Sequence, residues 1–112
     1  MKLNGAEFML SLSAKAGKAV SGETSVEKAV RAGKAHIVIV SSDASDNTKK
    51  KFRNKCSFYE IPIYLFGTKE SLAHAIGKDV RSSVAVTDRG LAGQIIKKLN
   101  ELDVKPETGD VQ

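Results

Sequence analysis

The sequence predicts an α/β protein, a three-layer α/β/α sandwich with one sheet between two layers of helices. Helical stretches with apolar residues three and four apart alternate with short β-branched runs, giving the order α-β-α-β-α-β-α-β-α. One of those runs, Ile37-Val38-Ile39-Val40, is apolar without interruption, as a strand covered on both faces must be. The length of 112 residues suits one domain whose core needs neither disulfide nor metal.

Asn4-Gly5-Ala6-Glu7 opens the first helix, with Asn4 as N-cap and Glu7 placed to complete a capping box. Phe8, Met9, Leu12 and Ala16 recur at helical spacing as its expected inner face, and Gly17 ends it. Ala19-Val20 reads as a brief strand before Gly22. Thr24-Ser25-Val26-Glu27 has the form of a second capping box, so the second helix is expected to start at Thr24. Val26, Ala29 and Val30 form its inner stripe, and Gly33 closes it as a left-handed residue. The strand Ile37–Val40 follows.

The third helix is expected from about Ser45-Asp46-Asn47 to Tyr59, with Phe52, Cys56 and Tyr59 as its buried stripe. Ile61-Pro62-Ile63-Tyr64-Leu65-Phe66 is the next strand, and Pro62 restricts it to a strand start or a sheet edge. Thr68 caps the fourth helix and Gly77 ends it. Val84-Ala85-Val86 is the last strand, and Leu91, Ile95, Ile96 and Leu99 mark the fifth helix. From Asp103 the chain is polar and acidic, with Pro106 and Gly109. The expected organisation is one domain over residues 1–102 and an acidic, flexible tail over 103–112.

Charge divides the chain at nearly the same place. Residues 1–100 hold 17 Lys and Arg against 9 Asp and Glu, a net of +8, whereas the last twelve residues hold one Lys against four acids. A basic body points to an anionic partner, nucleic acid first, with a solubility surface as the alternative. No apolar run reaches the roughly 18–20 residues of a membrane span. Residues 1–8 do not read as a signal peptide, because Glu7 interrupts them. The single cysteine, Cys56, excludes an internal disulfide and a multi-cysteine zinc site, and it suits a reducing cytoplasm.

Enzyme chemistry finds no foothold. His36 and His74 lie in different elements without Cys or Asp at ligand spacing, and Cys56 falls on a buried stripe. Asp43 and Asp46 follow a buried strand, where a helix cap is the commoner use and Mg²⁺ the rarer one; no Gly-rich phosphate cradle accompanies them. The run Lys49-Lys50-Lys51, with Arg53 and Lys55, is expected to be a solvated face, Lys50 and Lys51 pointing outward.

Two loops carry more information. Gly22 lets backbone approach a ligand closely, and the helix start behind it offers N–H groups and a positive dipole end to an anion. Thr24, Lys28 and Arg31 share one outward face, and Lys18 and Lys34 flank it, so these residues form a candidate basic stripe. The second loop, Lys78-Asp79-Val80-Arg81-Ser82, holds an apolar residue between cations. Val80 there is either a stacking surface for a splayed base or a plug at the edge of the core.

Taken in order, Gly22, then Lys28-Ala29-Val30-Arg31-Ala32-Gly33-Lys34-Ala35, then Ile37-Val38-Ile39-Val40-Ser41-Ser42-Asp43-Ala44-Ser45, then Cys56 and Ile61-Pro62, then Gly67-Thr68-Lys69-Glu70-Ser71-Leu72-Ala73-His74-Ala75-Ile76-Gly77, resemble one family. It is the kink-turn-binding ribosomal protein superfamily, with its pelota-like RNA-binding fold, and in particular its small bacterial YlxQ-type members. The resemblance covers roughly residues 5–100. It implies a mixed four-stranded sheet, no enzymatic activity and binding to structured RNA. The stretch Gly22-Glu23-Thr24-Ser25 through Lys28 would enter the groove at sheared G·A pairs, and Lys78 to Ser82 would hold an extruded nucleotide. Thr24-Ser25 stand where the strongest binders of that family place Asn-Glu, and the shorter side chains make fewer bidentate contacts to base edges.

The sequence therefore leads to an expectation of a non-enzymatic RNA-binding protein for kink-turn-like or ribosomal RNA, acting as a cytoplasmic monomer with no cofactor, metal or small-molecule substrate. Two classes compete with it. One is a protein-interaction module of the same fold with weak or lost RNA readout, which Thr24, Ser25 and Glu27 favour. The other is a small phosphate-binding enzyme, which lacks an acid–base pair.

Overall fold

The structure, a computed structural model, describes residues 3–107. Its elements are α1 (Gly5–Lys15), β1 (Ala19–Ser21), α2 (Glu23–Arg31), β2 (Ile37–Val40), α3 (Asp46–Tyr59), β3 (Ile63–Leu65), α4 (Lys69–Ile76), β4 (Ser83–Val86) and α5 (Arg89–Glu101). The four strands run in the order β1-β4-β2-β3. The β1/β4 and β4/β2 pairs are antiparallel and the β2/β3 pair is parallel, so the sheet is mixed as expected.

Side chains of a strand alternate between faces, and that alternation builds two cores. Ile37 and Ile39 of β2, with Val84 and Val86 of β4, face α1, α4 and α5 through Ala6, Leu10, Leu72, Ile95 and Leu99. Val38, Val40 and Ala85 face α2 and α3 through Val26, Val30, Phe52 and Cys56. β2 is buried at every position, which is what its unbroken β-branched run requires. Asn4 and Glu7 form the expected capping box, Ser45 and Thr68 cap α3 and α4, and Gly33 and Gly77 hold the left-handed φ assigned to them.

Four expectations are corrected. The inner face of α1 is Ala6, Leu10 and Ser13, not Phe8, Leu12 and Ala16. Small Ala6 lets the helix approach its neighbours closely, and Phe8 lies about 200° round the helix from it. Phe8 and Leu12 consequently stay 54% and 38% exposed. Tyr59 is also outside. Glu60 turns the chain with φ of 59°, and Ile61 takes the core position beside Cys56, its N–H donating to the Cys56 carbonyl at 2.8 Å. The second helix starts ahead of Thr24, at Glu23, with Gly22 as its N-cap.

The acidic segment is not frayed over residues 103–107. Pro106 bridges to Tyr64, Glu107 N–H donates to the Ile63 carbonyl at 2.7 Å, and the Arg53 guanidinium meets the Glu107 carboxylate at 3.0 Å. The segment thereby covers part of the open edge of β3, which otherwise presents unpaired backbone groups. The remainder of the predicted tail, 108–112, lies outside the described residues.

The α1 assignment is testable by chemical denaturation. Leu10→Ala should cost about 2–5 kcal/mol, as buried Leu truncations do. Phe8→Ser should change stability by about 1 kcal/mol or less. The reverse ranking would restore the Phe8–Leu12 face.

Candidate nucleic-acid interface

The candidate surface is set by the way β1 ends. Ser21 pairs with Val84, and one residue later Gly22 N–H donates to the Ser83 carbonyl at 3.0 Å. Gly22 has φ of 91° and ψ of 151°, a conformation essentially confined to glycine, and it turns the chain directly into α2. The first intrahelical bond runs from Val26 N–H to the Gly22 carbonyl. The backbone N–H groups of Glu23, Thr24 and Ser25 thus point beyond the helix end, without protein partners among the described residues. The expected Thr24–Glu27 capping box does not form: no side chain caps this helix, and Thr24 sits inside its first turn.

Glu27 has another task. Its carboxylate receives Lys51 at 2.9 Å, Lys55 at 3.3 Å and Arg31 at 3.6 Å, and Lys51 also reaches Glu23 at 2.9 Å. The hydrogen bond from Lys51 holds the Glu27 carboxyl below its usual range, against the opposing effect of partial burial, and the same contact raises Lys51. Lys51 therefore turns inward to α2, contrary to the outward direction expected for it. Solvent screens bridges of this kind, so each contributes little to stability by itself. They lie between α2 and α3, which pack side by side over one core and run in the same direction.

The loop after α4 comes to the same end of the sheet. Ser82 is fixed by Ser41 N–H, which donates to its carbonyl at 2.9 Å. Arg81 Nε donates to Ser21 Oγ at 3.0 Å and its Nη1 to the Val80 carbonyl at 2.8 Å, fastening the loop to the end of β1. Val80 is 53% exposed, so it does not plug the core. Gly22, Thr24, Ser25, Val80, Arg81 and Ser82 are thus brought together, with exposed Lys78 on the same loop.

The rest of the stripe extends along α2. Lys28 and Lys34 line a shallow groove with Val20, Ser25 and Thr87. Thr87 N–H donates to the Lys18 carbonyl at 2.8 Å, which places Lys18 at the Lys34 end, about 13 Å along the helix from Gly22. Glu23 and Arg31 lean the other way, into ion pairs on the α3 side. Sequence reading missed Ser21, which anchors Arg81 from 60 residues away, and the binding of Lys51 and Lys55 by Glu27. Neither has a periodic signal, because both arise between elements.

Other chemistry-bearing residues are accounted for structurally. Cys56 is fully buried, and burial pushes its thiol up to about 12, far from a reactive thiolate. Asp43 Oδ1 accepts from Lys69 N–H at 3.0 Å and so supports the start of α4. Among the described residues no cluster of His, Cys, Asp and Glu could hold a metal ion.

The pH dependence of stability should report the Glu27 bridge. A carboxyl depressed in the folded state contributes stability above its unfolded pKa, near 4.5, and loses it as pH falls through the folded value. The stability gap between the native chain and Glu27→Gln should be widest above pH 4.5 and narrow below it. A gap independent of pH would show that the bridge does not form.

The model of the ribosomal protein L7Ae/L30e/S12e/Gadd45 family matches residues 6–96. The RNA-binding protein YlxQ of Bacillus subtilis (strain 168) is 41% identical over 92 residues, which are 82% of this chain and 92% of that protein. The protein of the same name from Enterococcus faecium is 38% identical over 94 residues, 84% of this chain and 86% of that one. A solved protein of unknown function from Bacillus halodurans superposes with a TM-score of 0.85 at 37% identity, over 88% of this chain and 99% of that chain. A 15.5kD RNA binding protein of Giardia lamblia shares the fold, with a TM-score of 0.73 at 19% identity over 87% of this chain and 83% of that one.

Proposed function

This chain belongs to the ribosomal protein L7Ae/L30e/S12e/Gadd45 family, and from that premise we propose that it is a non-enzymatic RNA-binding protein whose target is structured, kink-turn-like RNA of the ribosome or the translation apparatus. One observation carries the reading: the open N-terminus of α2 and the exposed Val80 loop are joined at one end of the sheet by the Gly22–Ser83 and Arg81–Ser21 hydrogen bonds. The relatives' name as RNA-binding proteins supports it.

Binding begins with long-range attraction to the basic body, and phosphate contacts from Lys18, Lys28 and Lys34 supply most of the affinity, while Arg31, paired with Glu27, stands on the α3 side of the helix. Gly22 admits the RNA backbone close to the chain. The N–H groups of Glu23, Thr24 and Ser25 then meet phosphate or base edges at the positive end of the helix dipole. Glu23 acts here through its backbone, since Lys51 draws its carboxylate away. Val80 packs on an unstacked base, while Lys78, Arg81 and Ser82 hold the neighbouring sugar and phosphate. Thr24 and Ser25 are short, so selectivity comes from RNA shape and the extruded base more than from guanine edges. No described helix is long and apolar enough to cross a membrane, and the proposal has the protein act as a monomer in the cytoplasm, without metal or cofactor.

Two variants test this against an RNA with tandem sheared G·A pairs. Lys28→Ala should lower the slope of log K against log salt by about one unit. Val80→Asp should weaken binding at least tenfold, about 1.4 kcal/mol, with an unchanged melting temperature. Undiminished binding by both variants would place the RNA elsewhere on the protein.

A further inference from the structure

The RNA site leaves one exposed feature unused. Phe58, near the end of α3, is 78% exposed, and the ring of Tyr59 meets it edge-on at 5.0 Å with an interplanar angle of 80°. A large aromatic side chain this open has apolar area that a stacking partner would remove from water. Lys50, Asn54 and Phe58 stand four residues apart on one ridge of α3, about 12 Å long. Lys49 and Lys50 make no ion pair among the described residues, unlike Lys51 and Lys55.

The ridge adjoins the α2 surface. Because Glu27 binds both Lys51 and Lys55, α2 and α3 run in register. Phe58 lies about one turn beyond that bridge on α3, and Arg31 lies about one turn beyond it on α2. An aromatic face, an amide and an unpaired cation, Lys50, in a row are the components of a single-strand site, where bases stack and cations track the phosphates. The same face is unsuited to a protein partner. A stable protein interface covers about 800 Å² per side around an apolar centre, and Asn47, Lys50, Asn54 and Ser57 confine the apolar surface here to Phe58 and the ring of Tyr59 beside it.

We propose that Phe58, with Lys50 and Asn54, is a second contact surface that stacks an unpaired nucleotide of the same RNA, beyond the Arg31 end of α2. The proposal rests on the RNA-binding reading and adds a preference for a bent duplex that continues into a single strand. Arg31 stands at the junction of the two surfaces. Tyr59 supports the Phe58 ring from the side and is not itself the platform.

The experiment compares a blunt RNA carrying tandem sheared G·A pairs with the same RNA extended by a tail of about six unpaired nucleotides, a length within one single-strand site. The native chain should bind the tailed RNA more tightly. Phe58→Ala should lower its affinity for the tailed RNA by roughly five- to a hundredfold, and leave the blunt RNA unaffected. Phe58→Trp should keep the preference, and its fluorescence should be quenched by the tailed RNA alone. Tight binding of both RNAs with no tail preference overturns the second surface and leaves the first intact. Binding of neither RNA overturns both. A sedimentation shift of the native chain that Phe58→Ala abolishes would assign the ring to self-association instead.

Discussion

The hydrogen bond from Gly22 N–H to the Ser83 carbonyl, with the positive φ that lets Gly22 make it, is the constraint on which the candidate surface depends. It extends the β1/β4 ladder by one residue and then turns the chain into a helix without intervening loop. A non-glycine residue there would have free space around its Cβ, so the requirement is conformational and not steric. Through that bond the end of β1, the start of α2 and the start of β4 share one location. Arg81 then fastens the Val80 loop to it.

The two helical layers have different tasks. α1, α4 and α5 bury the larger core and leave the sheet's other face to α2 and α3. Those two helices are joined below by Val26, Val30, Phe52 and Cys56 and above by the Glu27 bridges. The apolar contacts supply stability, whereas the bridges decide which cations remain free. Lys51 and Lys55 are spent on α2, while Lys28, Lys49 and Lys50 stay available to a polyanion. Ser83 buries its hydroxyl without a partner among the described residues where β4 begins, and the buried hydroxyl of Ser41, just past the end of β2, lies beside the Asp43 carboxylate. An unsatisfied buried polar group typically costs about 1–3 kcal/mol, and Ser83 places one such group beneath the candidate surface.

Most of the fold was legible in the sequence, because each element carries its own punctuation. The β-branched run Ile37–Val40 gave a doubly covered strand, and Asn4, Ser45, Thr68, Gly33 and Gly77 marked helix ends that the structure keeps. The errors have a common cause. Phe8, Leu12 and Tyr59 look like core by spacing, but close approach at Ala6 and the turn at Glu60 leave them outside. Thr24–Glu27 matches a capping box, but β1 leads into the helix through Gly22, and Glu27 is drawn to lysines on a neighbouring helix. Local pattern identifies an element, whereas tertiary contacts decide which of its faces is used. The candidate site was legible only as two loops of suitable chemistry, and their meeting was not, since Ser21 and Arg81 are far apart in sequence.

The central claim is that the start of α2 and the Val80 loop form one RNA-binding surface. Backbone amide shifts, followed by NMR as the native chain is titrated with an RNA containing tandem sheared G·A pairs, test it most directly. The account predicts that the largest shifts fall together on Gly22, Glu23, Thr24 and Ser25 and on Lys78 to Ser82, at one common affinity. Shifts confined to α1, α4 and α5, or shifts in the two loops that saturate at different RNA concentrations, would contradict it.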